Sequence, residues 1–164
     1  MVRRLLVALL AFAIPLVATA QVEYIDPAGG FTQVVTTTND GVKTIFVSGQ
    51  VGRGDTLREH VESAFAGVVR RLAQAGATPA DVVKIRIFVK DFEPAQYPTI
   101  ADVRLATFPE EDQWPASTMI GVRALFAEPL RVEIEAIAVV AEPGVDLRIE
   151  RFAPSNGFSG AVAV

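Results

Sequence analysis

Two β-rich runs, residues 31–38 and 42–48, flank Asn39-Asp40-Gly41. Asn, Asp and Gly tolerate positive φ, so this spacing predicts a hairpin. The period then changes. Leu57, Val61, Ala64, Phe65, Val68 and Leu72 recur at helical spacing behind Asp55 or Thr56, either of which can cap a helix, and Gly76 ends it as a C′ glycine. Thr78-Pro79 opens one short turn of helix. Residues 82–89 form the next strand, with Val83, Ile85, Ile87 and Val89 on one face. A second helix follows over 98–108. Residues 114–141 read as a closing hairpin that turns at Phe126-Ala127-Glu128-Pro129. The order ββαβαββ predicts an α+β domain, a mostly antiparallel sheet with two helices on one face.

The last strand adds a detail. Val132, Ile134, Ala136, Ala138 and Val140 face one way, towards the helices. Arg131, Glu133, Glu135, Ile137 and Val139 face the other, and the later part of that row is too apolar for solvent, which argues for a partner subunit there. Antiparallel pairing across the 126–129 turn would set Arg123 opposite Glu133 and Gly121 opposite Glu135. In that register Ser117 lies roughly 13 Å further along its strand, so Ser117 and Glu135 would meet only between two chains.

Composition narrows the classes. The net charge of −4, with no long basic run beyond the N-terminus, gives nucleic-acid binding no electrostatic support. The absence of cysteine removes thiol nucleophiles and thiolate metal sites, and leaves burial or self-association to hold the fold. Residues 1–20 have a basic start, an apolar stretch interrupted by Pro15, and Ala18-Thr19-Ala20, the pattern of a secretory signal peptide. The expectation is an exported, periplasmic protein with one domain over 21–145 and a tail over 146–164, without a membrane span after signal removal.

GGFTQVV (29–35), FVSGQVG (46–52), RRLAQAGATPADVVKIRIFVKD (70–91), PAST (115–118) and VEIEAIAV (132–139) together resemble the RidA (YjgF-like) family of reactive-intermediate deaminases. The resemblance implies a chorismate-mutase-like subunit and a homotrimer with clefts between subunits. It also implies hydrolysis of 2-imino or enamine acids to 2-oxo acids and ammonia without a cofactor. The family pattern has an arginine directly after Pro-Ala, where this chain has Ser117. The family tyrosine corresponds to Phe31 and a frequent asparagine to Thr99, while the glutamate of EIEA is kept as Glu135. Loss of a bidentate arginine contact to a buried carboxylate costs about 2–5 kcal/mol.

The candidates are therefore Glu135 as the catalytic group, with Ser117 and Thr118 at the ligand, Thr99 beside it and Phe31 as an apolar wall. Two cations stand as candidates for the missing anion anchor, Arg123 and Arg104; the competing readings are a cross-strand pair with Glu133 for Arg123 and plain solvent exposure for Arg104. Glu133 and Glu135, two apart on a strand, match the spacing of glycosidase acid/base pairs, but no aromatic-rich sugar cleft accompanies them, which leaves Glu133 structural. His60 is the sole histidine and is expected at a surface or edge position. Gly49 to Gly54 lacks the Lys-Ser/Thr of a phosphate loop and fits a strand-to-helix turn. The expected function is a Rid-family protein that binds a small ligand, such as an imino, enamine or oxo acid, with imine deaminase activity; the alternative is a non-enzymatic exported small-molecule-binding or protein-interaction module. One oddity lies outside the domain. ERFAPSNGFSGAVAV (150–164) aligns with EYIDPAGGFTQVVTT (23–37) at one constant offset, matching Glu, Pro, Gly, Phe and Val. This reads either as the remnant of a tandem repeat, able to add a strand at a sheet edge, or as chance similarity in a disordered tail.

Overall fold

The computed structural model describes residues 20–155 and 157–164. The expected signal segment therefore lies, apart from Ala20, outside the described residues. Six strands form one sheet in the order β1-β2-β3-β6-β4-β5: β1 (Gln21–Ala28), β2 (Phe31–Asn39), β3 (Val42–Val51), β4 (Val82–Lys90), β5 (Ala116–Val122) and β6 (Val132–Ala141). Only β4 and β5 run parallel. Two helices, α1 (Leu57–Gln74) and α2 (Tyr97–Thr107), pack on one side. A separate two-stranded ribbon, β7 (Glu150–Phe152) with β8 (Ala161–Ala163), closes the chain. No helix among the described residues is long and apolar enough to cross a membrane.

Local chemistry sets the boundaries. Asp40 and Gly41 both have positive φ (49° and 75°), the geometry that matches a tight turn to the twist of β2 and β3. Thr56 caps α1 through a reciprocal box: the Glu59 N–H donates to Thr56 Oγ1 at 3.2 Å, and the Thr56 and Asp55 N–H groups donate to Glu59 Oε2 at 2.8 Å. Those backbone donors hold the Glu59 carboxyl below its usual range. At the far end the Ala77 N–H reaches the Leu72 carbonyl and Gly76 (φ 78°) reaches Ala73, a Schellman closure. Between sheet and helices, Val34, Ile45, Val61, Phe65, Ile85, Ile87, Ile100 and Ile134 form the centre of the core.

The structure corrects the expected closing hairpin. β5 and β6 do not pair: β6 inserts between β3 and β4, and β5 lies beyond β4. Glu133 faces Val51 and Phe88, Glu135 faces Arg86, and Gly121 faces Val89, so Arg123 has no place opposite Glu133. The reason is burial. The alternately buried row of β6 needs strands on both sides, whereas the half-exposed β5 suits an edge and follows a helical crossover from β4, the connection that parallel pairing requires. In β4 a register shift between Val82 and Lys84 puts Val82 rather than Val83 into the core with Ile85 and Ile87. His60 is buried, not at the surface; its Nδ1 lies 2.9 Å from the Gly52 carbonyl oxygen. Gly52 has no room for a side chain there, because a Cβ would stand 2.0 Å from the His60 carbonyl oxygen.

Candidate functional site

The sheet has one face under the helices and one open face. Lys84 and Arg86 alternate with the buried Ile85 and Ile87 and so point to the open face. Register carries that row sideways: Arg86 lies between Thr118 on β5 and Glu135 on β6. Arg86 Nη1 donates to Glu135 Oε1 as an ion pair, and Lys84 Nζ donates to Thr118 Oγ1 at 2.7 Å. Lys84, Arg86 and Glu135, with Val35, Phe46, Ser48 and Ile137, line a half-open recess of about 240 Å³.

Glu133 stands one step along the same face. Its carboxylate lies against Gly49, where a Cβ would come within 1.8 Å of Oε1, in the irregular stretch of β3 between Val47 and Gln50. Burial raises the Glu133 pKa, and the neighbouring charge of Glu135 raises it further. A wider groove lies between α1 and α2, and two of its polar groups, Arg58 and Glu62, are held in an exposed ion pair. Among the described residues no cluster of His, Asp and Glu could hold a metal ion.

The structure sorts the expected site residues. Glu135 and Thr118 share the open face and are joined through β4. Ser117 pairs with the buried Ile85, so its side chain leaves β5 on the opposite, helix-bearing face. Thr99 sits half-buried in α2. Phe31 is 54% exposed and lines a separate shallow groove with residues 27–32, away from Glu135. Arg123 is exposed just past β5. Arg104 is buried, not solvent-facing: its guanidinium lies 5.9 Å from the Tyr97 ring and 5.2 Å from the Phe158 ring, and Nη2 reaches Tyr97 Oη at 3.4 Å. Neither proposed anchor lines the recess. The cations that do, Lys84 and Arg86, were missed. Their signal was the alternation of VVKIRIFV, which gains meaning only once β6 is known to lie beside β4.

A mostly antiparallel sheet with two helices on one face, strand β6 at its centre, is a chorismate-mutase-like α+β subunit. The chain belongs to the YjgF/RidA family: the family model described as Endoribonuclease L-PSP matches residues 22–140. It is 32% identical over 122 residues to a 2-iminobutanoate/2-iminopropanoate deaminase of Dermatophagoides farinae, covering 70% of this chain and 88% of that relative. Among solved structures, Rv2704 of Mycobacterium tuberculosis, a member of the YjgF/YER057c/UK114 family, superposes with a TM-score of 0.63 at 30% identity, over 73% of this chain and 100% of that one. Escherichia coli TdcF with bound serine shares the fold with a TM-score of 0.59 at 23% identity, over 70% and 91% of the two chains.

Proposed function

We propose that this protein hydrolyses a small 2-imino or enamine acid to the 2-oxo acid and ammonia in the recess around Glu135, with Arg86 as the anion anchor. One observation carries this reading: a guanidinium and the glutamate retained from the family pattern are paired inside the same recess. The deaminase relative supports it. The pair also suggests how substrate would engage. A substrate carboxylate competes with Glu135 for Arg86, and Glu135, once displaced, is free to accept a proton from water. Water adds to the carbon of the protonated imine, leaving one proton on Glu135 and giving a carbinolamine. That proton passes to nitrogen, the C–N bond breaks as the hydroxyl returns its own proton to Glu135, and ammonia and the 2-oxo acid leave.

A half-open recess needs a cover to exclude water. The open face exposes Val22, Tyr24 and Phe46, and a homotrimer built over it would close the recess with a second subunit. Light scattering at three times the subunit mass is the expected result. Export through the 1–20 segment would yield a mature chain that begins at Gln21, which N-terminal sequencing reads directly.

The activity test is a coupled assay of 2-oxo acid formation from 2-aminoacrylate. Arg86→Met is expected to raise KM about a hundredfold, the size expected for a lost charge-assisted carboxylate contact. Unaltered kinetics in Arg86→Met would remove the proposed anchor. The same ion pair favours one competing reading, a binding module in which Arg86 keeps Glu135 permanently occupied; a ligand that copurifies and is never turned over would establish it.

A further inference from the structure

The chain carries one hairpin twice. In the first, Glu23 pairs with Thr36, Tyr24 with Val35 and Ile25 with Val34. In the ribbon at the other end, Glu150 pairs with Ala163, Arg151 with Val162 and Phe152 with Ala161. These are the partners that the repeat in sequence assigns to one another, so register follows sequence. The backbone agrees too: Asp26 and Gly30 have φ of 56° and 90°, and their counterparts Ala153 and Gly157 have 49° and 80°. A left-handed alanine is uncommon, and chance similarity does not reproduce sequence, register and positive φ together.

The surroundings of the two corners differ. Gly30 and Phe31 are exposed, the latter with a bare phenyl ring, and Thr32 is half-buried. Gly157-Phe158-Ser159 is seated on α2 and the start of β5. The Ser159 N–H donates to the Pro115 carbonyl at 2.9 Å, its hydroxyl donates to the Trp114 carbonyl at 2.9 Å, and Ser159 bridges Ala116 in parallel. Phe158 lies over Arg104. Gly157 passes so close to α2 that a Cβ would meet Leu105 Cδ2 at 2.9 Å. Arg151 ties the ribbon down through the carbonyls of Trp114 and Ala80 at 3.2 and 3.1 Å.

This seat asks for a left-handed glycine, an aromatic ring over a guanidinium, and a hydroxyl that reaches a carbonyl. Gly30, Phe31 and Thr32 offer the same three features in the same order. We infer that the surface formed by Trp114, Pro115, Ala116 and Arg104 is a docking site for this corner as such, and that Gly30-Phe31-Thr32 of a second copy of the chain competes with the chain's own tail for it. The tail is then an internal copy of the contact surface that holds the seat and sets how readily a neighbour's corner enters. The inference does not rest on the hydrolytic reading, and a trimer built over the open sheet face would stand without it.

The test uses the full chain with Phe158→Asp, with Gly157→Val, and with each combined with Phe31→Asp. Hydrogen exchange is expected to rise at least tenfold at Ser159 and Gly160 in both single variants as the tail leaves. Amides 31–34 are expected to become protected, and self-association measured by sedimentation to tighten by roughly tenfold, the worth of burying one phenyl ring. The fluorescence of the single tryptophan, Trp114, should shift on release and return on self-association. Adding Phe31→Asp should abolish the tightening. A tail that stays protected in both single variants overturns the inference. So does a released seat that leaves amides 31–34 and the association constant unchanged, even if the protein remains a trimer.

Discussion

Residues 114–141 supply two strands with very different surroundings. β6 lies between β3 and β4, every second residue from Val132 to Ala138 is buried, and Glu133 and Glu135 are fixed by neighbours on both sides. β5 has a single strand partner, and none of its residues is fully buried. The difference separates two kinds of constraint. A central position dictates both faces of a strand, so the family pattern survives in VEIEAIA. An edge position dictates little, and PAST carries Ser117 where the resemblance to the family implies an arginine, with the strand still in place.

The largest effect that would sharpen this contrast is on stability. Ile134→Ala in β6 is expected to cost about 3–4 kcal/mol, and Met119→Ala in β5 about 1 kcal/mol, because only the first leaves a closed cavity. Urea denaturation of the two variants measures both; equal losses would mean that the edge strand is as tightly held as the centre. Next in size is catalysis. Glu135→Ala should lower kcat by at least about a hundredfold, while Thr118→Ala, which removes only an exposed acceptor for Lys84, should change it less than about tenfold. A larger loss at Thr118 would move the chemistry towards the edge.

The smallest effect concerns pH. Glu133 has a raised pKa, so the native state holds its proton to higher pH than the unfolded chain does. Its favourable contribution is complete below the ordinary carboxyl value of 4.5 and fades as pH rises through the raised native value. Glu133→Gln should therefore gain on the parent protein from pH 4.5 upward, read as a growing difference in urea midpoint between pH 4 and pH 7. A difference that shrinks with pH would show that Glu133 has a stabilising partner when charged.

Element types and faces were legible because periodicity reports them directly. The second helix, expected over 98–108, is Tyr97–Thr107, and the helix-facing row of β6 is the expected one. Neighbours were not legible, since period gives a face but not the strand alongside it. That gap misplaced β5 and with it Arg123, and it hid Arg86, whose role depends on lying opposite Glu135. β1 was missed for another reason: nearly all its residues are exposed, so no alternation marks it. The burial of His60 and Arg104 is not legible in their local sequence, because the groups that cover them, the Gly52 turn and the 157–159 corner, come from other parts of the chain.

The place of β6 also bears on how the molecule comes into being. The β1–β2–β3 sheet and the β4–β5 pair share no edge of their own; β6 is the only strand that joins them, and it is the last of the six to be synthesised. A chain emerging from a ribosome cannot join its two half-sheets until residue 141 is free. Once the strand slots in, both halves close on it in a single late step, dominated by contacts far apart in sequence and correspondingly slow.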